Sequence, residues 1–254
     1  FDSHGFLGAN RDDLALEQQK FKNPDYQESL ANAMVNADVF LGLSVGNIVT
    51  QDMIRVMAKD PIVFAMANPD PEIAYNLAID SRDDIIMATG RSDHPNQVNN
   101  VLGFPFIFRG ALDVRATKIN EAMKLAAVHA LADLAKKSVP EQVNITYNKK
   151  NITFGRDYII PKPFDLRLIS EVPPAVAKAA MDSGVAQMPI KNWDSYRESL
   201  VERLGTGSKL MRLVTSRAKS DPKTVIFAPK VGPNPSLKFP SKSFKTASKT
   251  FNRF

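Results

Sequence analysis

The chain has 254 residues, of which 44% are apolar and 24% charged, and it contains no cysteine. That balance supports a sizeable buried core and excludes a disordered or collagen-like polypeptide. The lack of thiols excludes disulfide frameworks, thiolate metal centres and cysteine nucleophiles, and it suits a reducing compartment.

Three histidines, His4, His94 and His129, are too few for a multi-histidine metal centre. No apolar run reaches the roughly 18 residues of a bilayer span, so a soluble protein is expected, and the absence of cysteine and of a signal suits the cytoplasm. Phe1-Asp2-Ser3-His4-Gly5 lacks the grading of a signal peptide and reads as the interior of something longer, so the chain is read as a fragment. The net charge of +6 is unevenly placed: Lys223, Lys230, Lys238, Lys242, Lys245, Lys249 and Arg253 face no acid between Pro222 and Phe254. Six minus seven leaves residues 1–221 at −1. Basic clusters can release counterions from phosphate, but these lysines lie among prolines and serines, a composition that buries too little to order itself. A solvated tail is expected there, with neither nucleic acid nor membrane as partner.

In chain order, Asp12 to Phe21 and Gln27 to Asn36 suggest helices, and Phe1 the stub of an earlier strand. Val39–Leu43 is strand-like, and Thr50 can cap a helix whose Met53, Ile54, Val56 and Met57 share a face. Ile62–Met66 is a second strand, stopped by Asn68-Pro69-Asp70-Pro71. A short helix over Glu72–Ile79 and a third strand at Ile85–Ala88 follow. Continuously apolar strands alternating with single helices predict a Rossmann-like α/β fold, its parallel sheet covered on both faces. Beyond Asn100 the texture is helical. Ile119, Met123, Ala126, Ala130 and Leu134 step along one stripe to about Lys137. A polar stretch spans Ser138–Asn151, Tyr158–Pro163 is extended, and Pro173–Met181 opens a helix with proline near its first turn. Trp193–Leu204 and Lys209–Ala218 add two more helices, and Thr224–Ala228 starts a strand.

Open parallel sheets bind ligands beyond the carboxyl ends of their strands, which singles out Asp2, Ser44, Asn68 and the loop from Thr89 to Asn100. Asp2 can accept both hydroxyls of an adenosine ribose or simply initiate a turn. Ser44 precedes Val45-Gly46, where backbone would pass close to a cofactor. The Asn68 amide can close its own turn or offer a neutral donor and acceptor to a substrate. Gly90-Arg91-Ser92-Asp93-His94-Pro95-Asn96-Gln97-Val98-Asn99-Asn100 sets a dense run of polar side chains against the apolar Val101–Phe108, which suggests the wall of a site. His94 can act as acid or base or serve as a hydrogen-bonding structural residue. No glycine-rich phosphate loop occurs.

Phe64-Ala65-Met66-Ala67-Asn68-Pro69-Asp70-Pro71-Glu72, Ala88-Thr89-Gly90-Arg91-Ser92-Asp93 and the run from Pro95 to Asp113 together resemble the cofactor domain of malic enzymes. The uninterrupted form is similar to the bacterial branch, which carries a phosphate acetyltransferase-like domain at its C-terminus. Tyr158–Asp165, Met181–Ala186 and Asp221–Ala228 extend the likeness. It implies oxidative decarboxylation of malate to pyruvate and carbon dioxide with NAD or NADP and a divalent metal, magnesium or manganese.

By the same resemblance, Asn68, Asn99 and Asn100 bind substrate. Asp2 and Ser3 meet the adenosine ribose, and Ser44 and Asn68 lie at the cofactor. Gln18 falls, counting back from Phe21, where NADP enzymes of the family can carry a lysine, with Lys20 near enough to serve in its place. An uncovered Asp2 near a 2′-phosphate costs on the order of 1–4 kcal/mol, which implies NAD over NADP by about tenfold. The family's lysine base, tyrosine acid, acidic metal ligands and glycine-rich turn are not matched here, so no catalytic or metal residue is assigned.

The expected division is a dinucleotide-binding domain over 1–185 without its first strand and glycine-rich turn, and a helical linker over 186–222. A vestigial start of the appended domain with a basic tail occupies 223–254. The implied intact enzyme is a homo-oligomer acting on malate, and this chain is inactive unless an upstream catalytic half joins it. The alternative is a non-catalytic remnant or interaction module.

Overall fold

A computed structural model describes residues 1, 2, 5–23 and 29–205. Ser3, His4, Lys209–Ala218 and everything expected of 223–254 lie outside the described residues.

The sheet has three parallel strands, β1 (Val39–Gly42), β2 (Ile62–Ala65) and β3 (Ile86–Thr89), in the order β1-β2-β3. Val39 registers with Ile62, which in turn registers with Ile86. Each strand is short, apolar and followed by turn chemistry, and a helix carries the chain back, as parallel pairing requires. Four short helices lie in this half: α1 (Leu16–Gln19), α2 (Leu30–Ala33), α3 (Gln51–Arg55) and α4 (Tyr75–Ile79). Ser29 caps α2 by accepting from the Asn32 N–H, and Thr50 caps α3 by accepting from the Met53 N–H at 3.3 Å, as its position before the apolar face predicts. Met34, Ile54, Val63, Ile73 and Met87 close the core under the sheet.

Two expectations change here. Phe1 is no strand stub: Asp2 and Gly5 exchange backbone bonds in a tight bridge, and Phe1 packs on the Phe6 ring at 5.4 Å. Nor is the sheet covered on both faces at β1. Val39 and Leu41, alternate residues on one face of the strand, are 49% and 63% exposed.

The amino ends of the strands are laced by charge. Arg82 donates to the Met57 carbonyl at 2.6 Å and forks onto Asp84, whose other contact is the Asp60 N–H at 2.8 Å. The Arg82 bond, then that of the Asp60 amide, holds the Asp84 carboxyl well below the usual carboxylate range. Arg156 reaches back to Asp60 at 2.5 Å.

The second half is helical. A 3₁₀ turn (Asn100–Leu102) leads into α5 (Phe104–Asp113), followed by α6 (Glu121–Lys136), α7 (Glu141–Thr146) and α8 (Leu168–Asp182), with residues 193–205 also helical. Asn120 caps α6 through the Met123 N–H at 3.1 Å, and Ile119, Met123, Ala130 and Leu134 of the predicted stripe pack in the core with α5 and α8, where Ala127 takes the place expected of Ala126. Met123, Leu134, Leu168, Val176 and Leu200 are fully buried, each contributing about 1.5–3 kcal/mol. The polar stretch after Ser138 contains α7, whose Val143 and Asn144 are buried. α8 starts at Leu168, five residues before Pro173, so Pro173 and Pro174 lie inside it. Both are buried against neighbouring helices, and that packing offsets the missing N–H donors.

Gly110 on α5 is where α8 comes closest: a Cβ there would stand 2.5 Å from the Pro173 carbonyl oxygen and 2.8 Å from the Val176 Cβ. Gly110→Ala is therefore expected to lower stability by about 1–3 kcal/mol, read as a lower urea midpoint with an unchanged slope. A second expectation concerns Tyr196, whose hydroxyl donates to Asp113 at 2.8 Å. Burial and then that bond raise its pKa far above the ordinary tyrosine value. Its contribution to stability is whole below the unfolded value of about 10 and is lost as pH rises from there towards the folded value. Urea titrations of wild type and Tyr196→Phe should differ by a constant margin up to about pH 9, and that margin should shrink above pH 10.

Candidate functional site

The carboxyl ends of the strands carry several exposed polar groups. Ser44, two residues past β1, exposes its hydroxyl, while its backbone N–H donates to Glu72 Oε1 at 2.9 Å. Asn68, three residues past β2, is exposed, and its amide has no hydrogen-bond partner among the described residues. The turn is closed instead by Glu72, whose Oε2 accepts from the Ala67 N–H at 3.1 Å. Glu72 was expected to open α4, but that helix begins at Tyr75 and the Glu72 side chain is completely buried. The close backbone approach expected at Gly46 is made by the chain itself: a Cβ there would stand 2.8 Å from both the Asp70 Cβ and its carbonyl oxygen.

Past β3, Thr89 is buried and its hydroxyl accepts from the Arg91 N–H at 3.2 Å. Arg91 forks onto Asp93 at 3.0 and 2.9 Å, and that bond holds the Asp93 carboxyl below its ordinary value. His94 is half-buried. Its ring stacks on Tyr75 at 4.3 Å and lies 3.9 Å from Asp93.

Asn96 shapes this loop. It is buried with φ +52°, donates to the Met87 and Arg156 carbonyls at 3.0 and 2.6 Å, and accepts from the Ile159 N–H at 2.9 Å. Both of its donors and one of its two acceptor directions are thus used by backbone. The chain then turns into the 3₁₀ segment, where Asn99 Oδ1 accepts from the Val101 N–H at 3.0 Å and Asn100 is exposed. Both asparagines edge an apolar groove of about 500 Å³ walled by Phe104, Ile107, Leu131 and Ile160.

Asp2 and Gln18 stand in a separate cluster. Arg11 donates to both Asp2 oxygens at 3.2 and 2.8 Å and to both Asp13 oxygens at 2.6 and 2.7 Å. These bonds raise the Arg11 pKa above its ordinary value. Asp2 is therefore covered by a guanidinium, contrary to the bare acid expected from the sequence. Gln18 faces inward on its own helix, its Oε1 accepting from the Ala15 N–H at 3.0 Å.

The arrangement brings Ser44 and Asn68 together through Glu72, and Asn99 and Asn100 together at the groove. It offers neutral amides and a hydroxyl, groups that bind and orient and do not take protons at neutral pH. Those groups suit a dinucleotide lying across strand ends. No cluster of three or more metal-ligating side chains exists among the described residues. Sequence reasoning missed Glu72, Asn96 and Arg11. An acid flanked by Pro71 and Ile73 was the available signal for Glu72, since such a neighbourhood usually buries the side chain with it.

A family model described as malic enzyme, NAD binding domain, matches residues 1–153. The NADP-dependent malic enzyme of Haemophilus influenzae is 53% identical over 230 residues, covering 89% of this chain and 30% of that protein. The enzyme of the same description from Halomonas elongata is 58% identical over 188 residues, 74% of this chain and 44% of the other. Among solved structures, the Entamoeba histolytica malic enzyme superposes with a TM-score of 0.70 at 33% identity, covering 84% of this chain and 43% of that one. The chain spans less than half the length of each of these proteins. With more than half of its residues matched by the family model, it belongs to the family of malic enzyme NAD-binding domains.

Proposed function

We propose that this chain is the dinucleotide and substrate wall of an enzyme that oxidatively decarboxylates malate to pyruvate. The observation that carries the reading is the set of exposed polar side chains at the strand ends, Ser44, Asn68 and Asn100, on the stretch matched by the family model. The dinucleotide supplies a hydride acceptor for C2 of malate when bound. Ser44 and Asn68 hold it by hydroxyl and amide, with Asp2 and Ser3 at its adenosine ribose. Asn68, Asn99 and Asn100 hold malate. Because Asn99 Oδ1 is already committed to the Val101 N–H, its free group is the amide NH₂, a donor suited to a substrate carboxylate. The groove beside Asn99 and Asn100 offers that substrate an apolar wall.

Residues 1–185 form the nucleotide domain in this reading, 186–222 the linker, and 223–254 the opening of a phosphate acetyltransferase-like domain and a basic tail. Base, acid and metal ligands come from sequence other than these 254 residues, in a cytoplasmic, self-associating enzyme.

Two outcomes test this. The 254-residue chain should bind NADH or NADPH in a fluorescence titration, yet show no malate turnover with manganese until an upstream half of a malic enzyme is co-expressed with it. In that reconstituted enzyme, Asn68→Ala and Asn100→Ala should each cost about 1–3 kcal/mol of malate-dependent kcat/KM. Wild-type malate kinetics in both variants would refute the substrate assignment.

Cofactor choice rests on Arg11. A bare Asp2 would favour NAD, but the guanidinium across it lets a 2′-phosphate compete for the same cation, and two of the relatives are named NADP-dependent. The balance of Asp2 against Arg11 sets the preference between the two cofactors. Arg11→Ala should shift the NADP-to-NAD affinity ratio towards NAD, and Asp2→Asn should shift it towards NADP, each by about tenfold. Ratios that stay put in both variants would remove this pair from cofactor choice.

A further inference from the structure

Glu72 is the one buried carboxylate at the strand ends, and nothing in the proposed reaction uses it. It is fully buried, with no ion-pair partner among the described residues. A buried charge persists only where hydrogen bonds compensate it, and here two backbone N–H groups do so from different strands. Ser44, past β1, donates to Oε1 at 2.9 Å, and Ala67, past β2, donates to Oε2 at 3.1 Å. The main chain repeats the tie, since the Asn47 N–H donates to the Pro71 carbonyl at 3.0 Å and the Val49 N–H to that of Glu72 at 2.9 Å.

The chemistry requires an acid. Two donors arrive at two different oxygens, and a glutamine has only one acceptor oxygen, so its NH₂ would face one of the N–H groups head on. The neighbouring backbone is fitted to the same group, because a Cβ on Gly42 would overlap the Glu72 carboxyl. What the carboxylate clamps is specific. One bonded amide belongs to Ser44 itself and the other immediately precedes Asn68, and both of these side chains are exposed at the ends of β1 and β2.

We infer that Glu72 is a positioning residue: it holds the loops after β1 and β2 in one register and thereby fixes the spacing of Ser44 and Asn68. The link from that spacing to nucleotide binding rests on the proposed function, whereas the clamp itself does not. A carboxylate that merely filled core volume could be exchanged for an isosteric amide without effect on either loop.

The test compares Glu72→Gln, which keeps the shape, and Gly42→Ala, which displaces the carboxyl from the opposite side. Amide hydrogen exchange by NMR on the 254-residue chain is expected to accelerate at least about tenfold at Ser44, Ala67 or both in each variant, the loss of one buried bond. Amides inside α8 serve as the control for global stability and should exchange as in wild type. NADPH affinity, read by fluorescence, should fall by about fivefold or more in both variants. Unchanged exchange at Ser44 and Ala67 in both variants would overturn the inference, and so would accelerated exchange with undiminished NADPH affinity. If the wild-type chain bound neither NADH nor NADPH, the proposed function would fail while the exchange measurement still decided whether Glu72 clamps the loops.

Discussion

Parallel pairing of β1, β2 and β3 is the constraint from which the rest follows. It sends all three carboxyl ends to one side of the sheet and all three amino ends to the other. The two sides are then treated differently. At the amino ends, Arg82, Asp84, Asp60 and Arg156 spend their charges on one another and on backbone carbonyls. At the carboxyl ends, Ser44, Asn68 and Asn100 stay exposed, and rigidity comes from two buried residues, Glu72 and Asn96, that bond only to backbone. Interior polar groups holding backbone so that surface polar groups are free to bind is an economical way to build a site on loops.

The helical half steadies the third loop. Asn96 connects β3 to the segment at 156–159, and the groove beside Asn99 is walled by α5, α6 and Ile160. The position of Asn99 and Asn100 therefore depends on how α5 lies on α8, which the Gly110–Pro173 approach fixes to within a methyl group. Packing far along α5 is coupled in this way to the geometry of two amides at its start.

Much of this was legible in the sequence. Strand positions followed from short apolar runs bounded by turn residues, and the caps at Thr50 and the stripe on α6 from helical spacing. What escaped shares one physical character. α8 begins before Pro173 because burial of both prolines overrides their local preference, and tertiary packing of that kind has no local signature. Glu72 looked like a helix-opening acid because an N-terminal turn favours one, and only the loops of two separate strands reveal its partners. Asp2 looked bare because Arg11, nine residues on, is brought back by the turn at Gly5 and the bend that follows. Motif resemblance found the family through contiguous residues, and it was silent on contacts between strands.

The free side of β1 has a consequence of its own. Val39 and Leu41 stand exposed on a strand whose outer backbone groups meet no other strand among the described residues. A four-residue edge strand with two exposed apolar side chains is a place where a further strand can add. Handling of the chain at high concentration is thus governed by whatever pairs with that edge: a native strand completes the sheet, and a second exposed edge starts an aggregate.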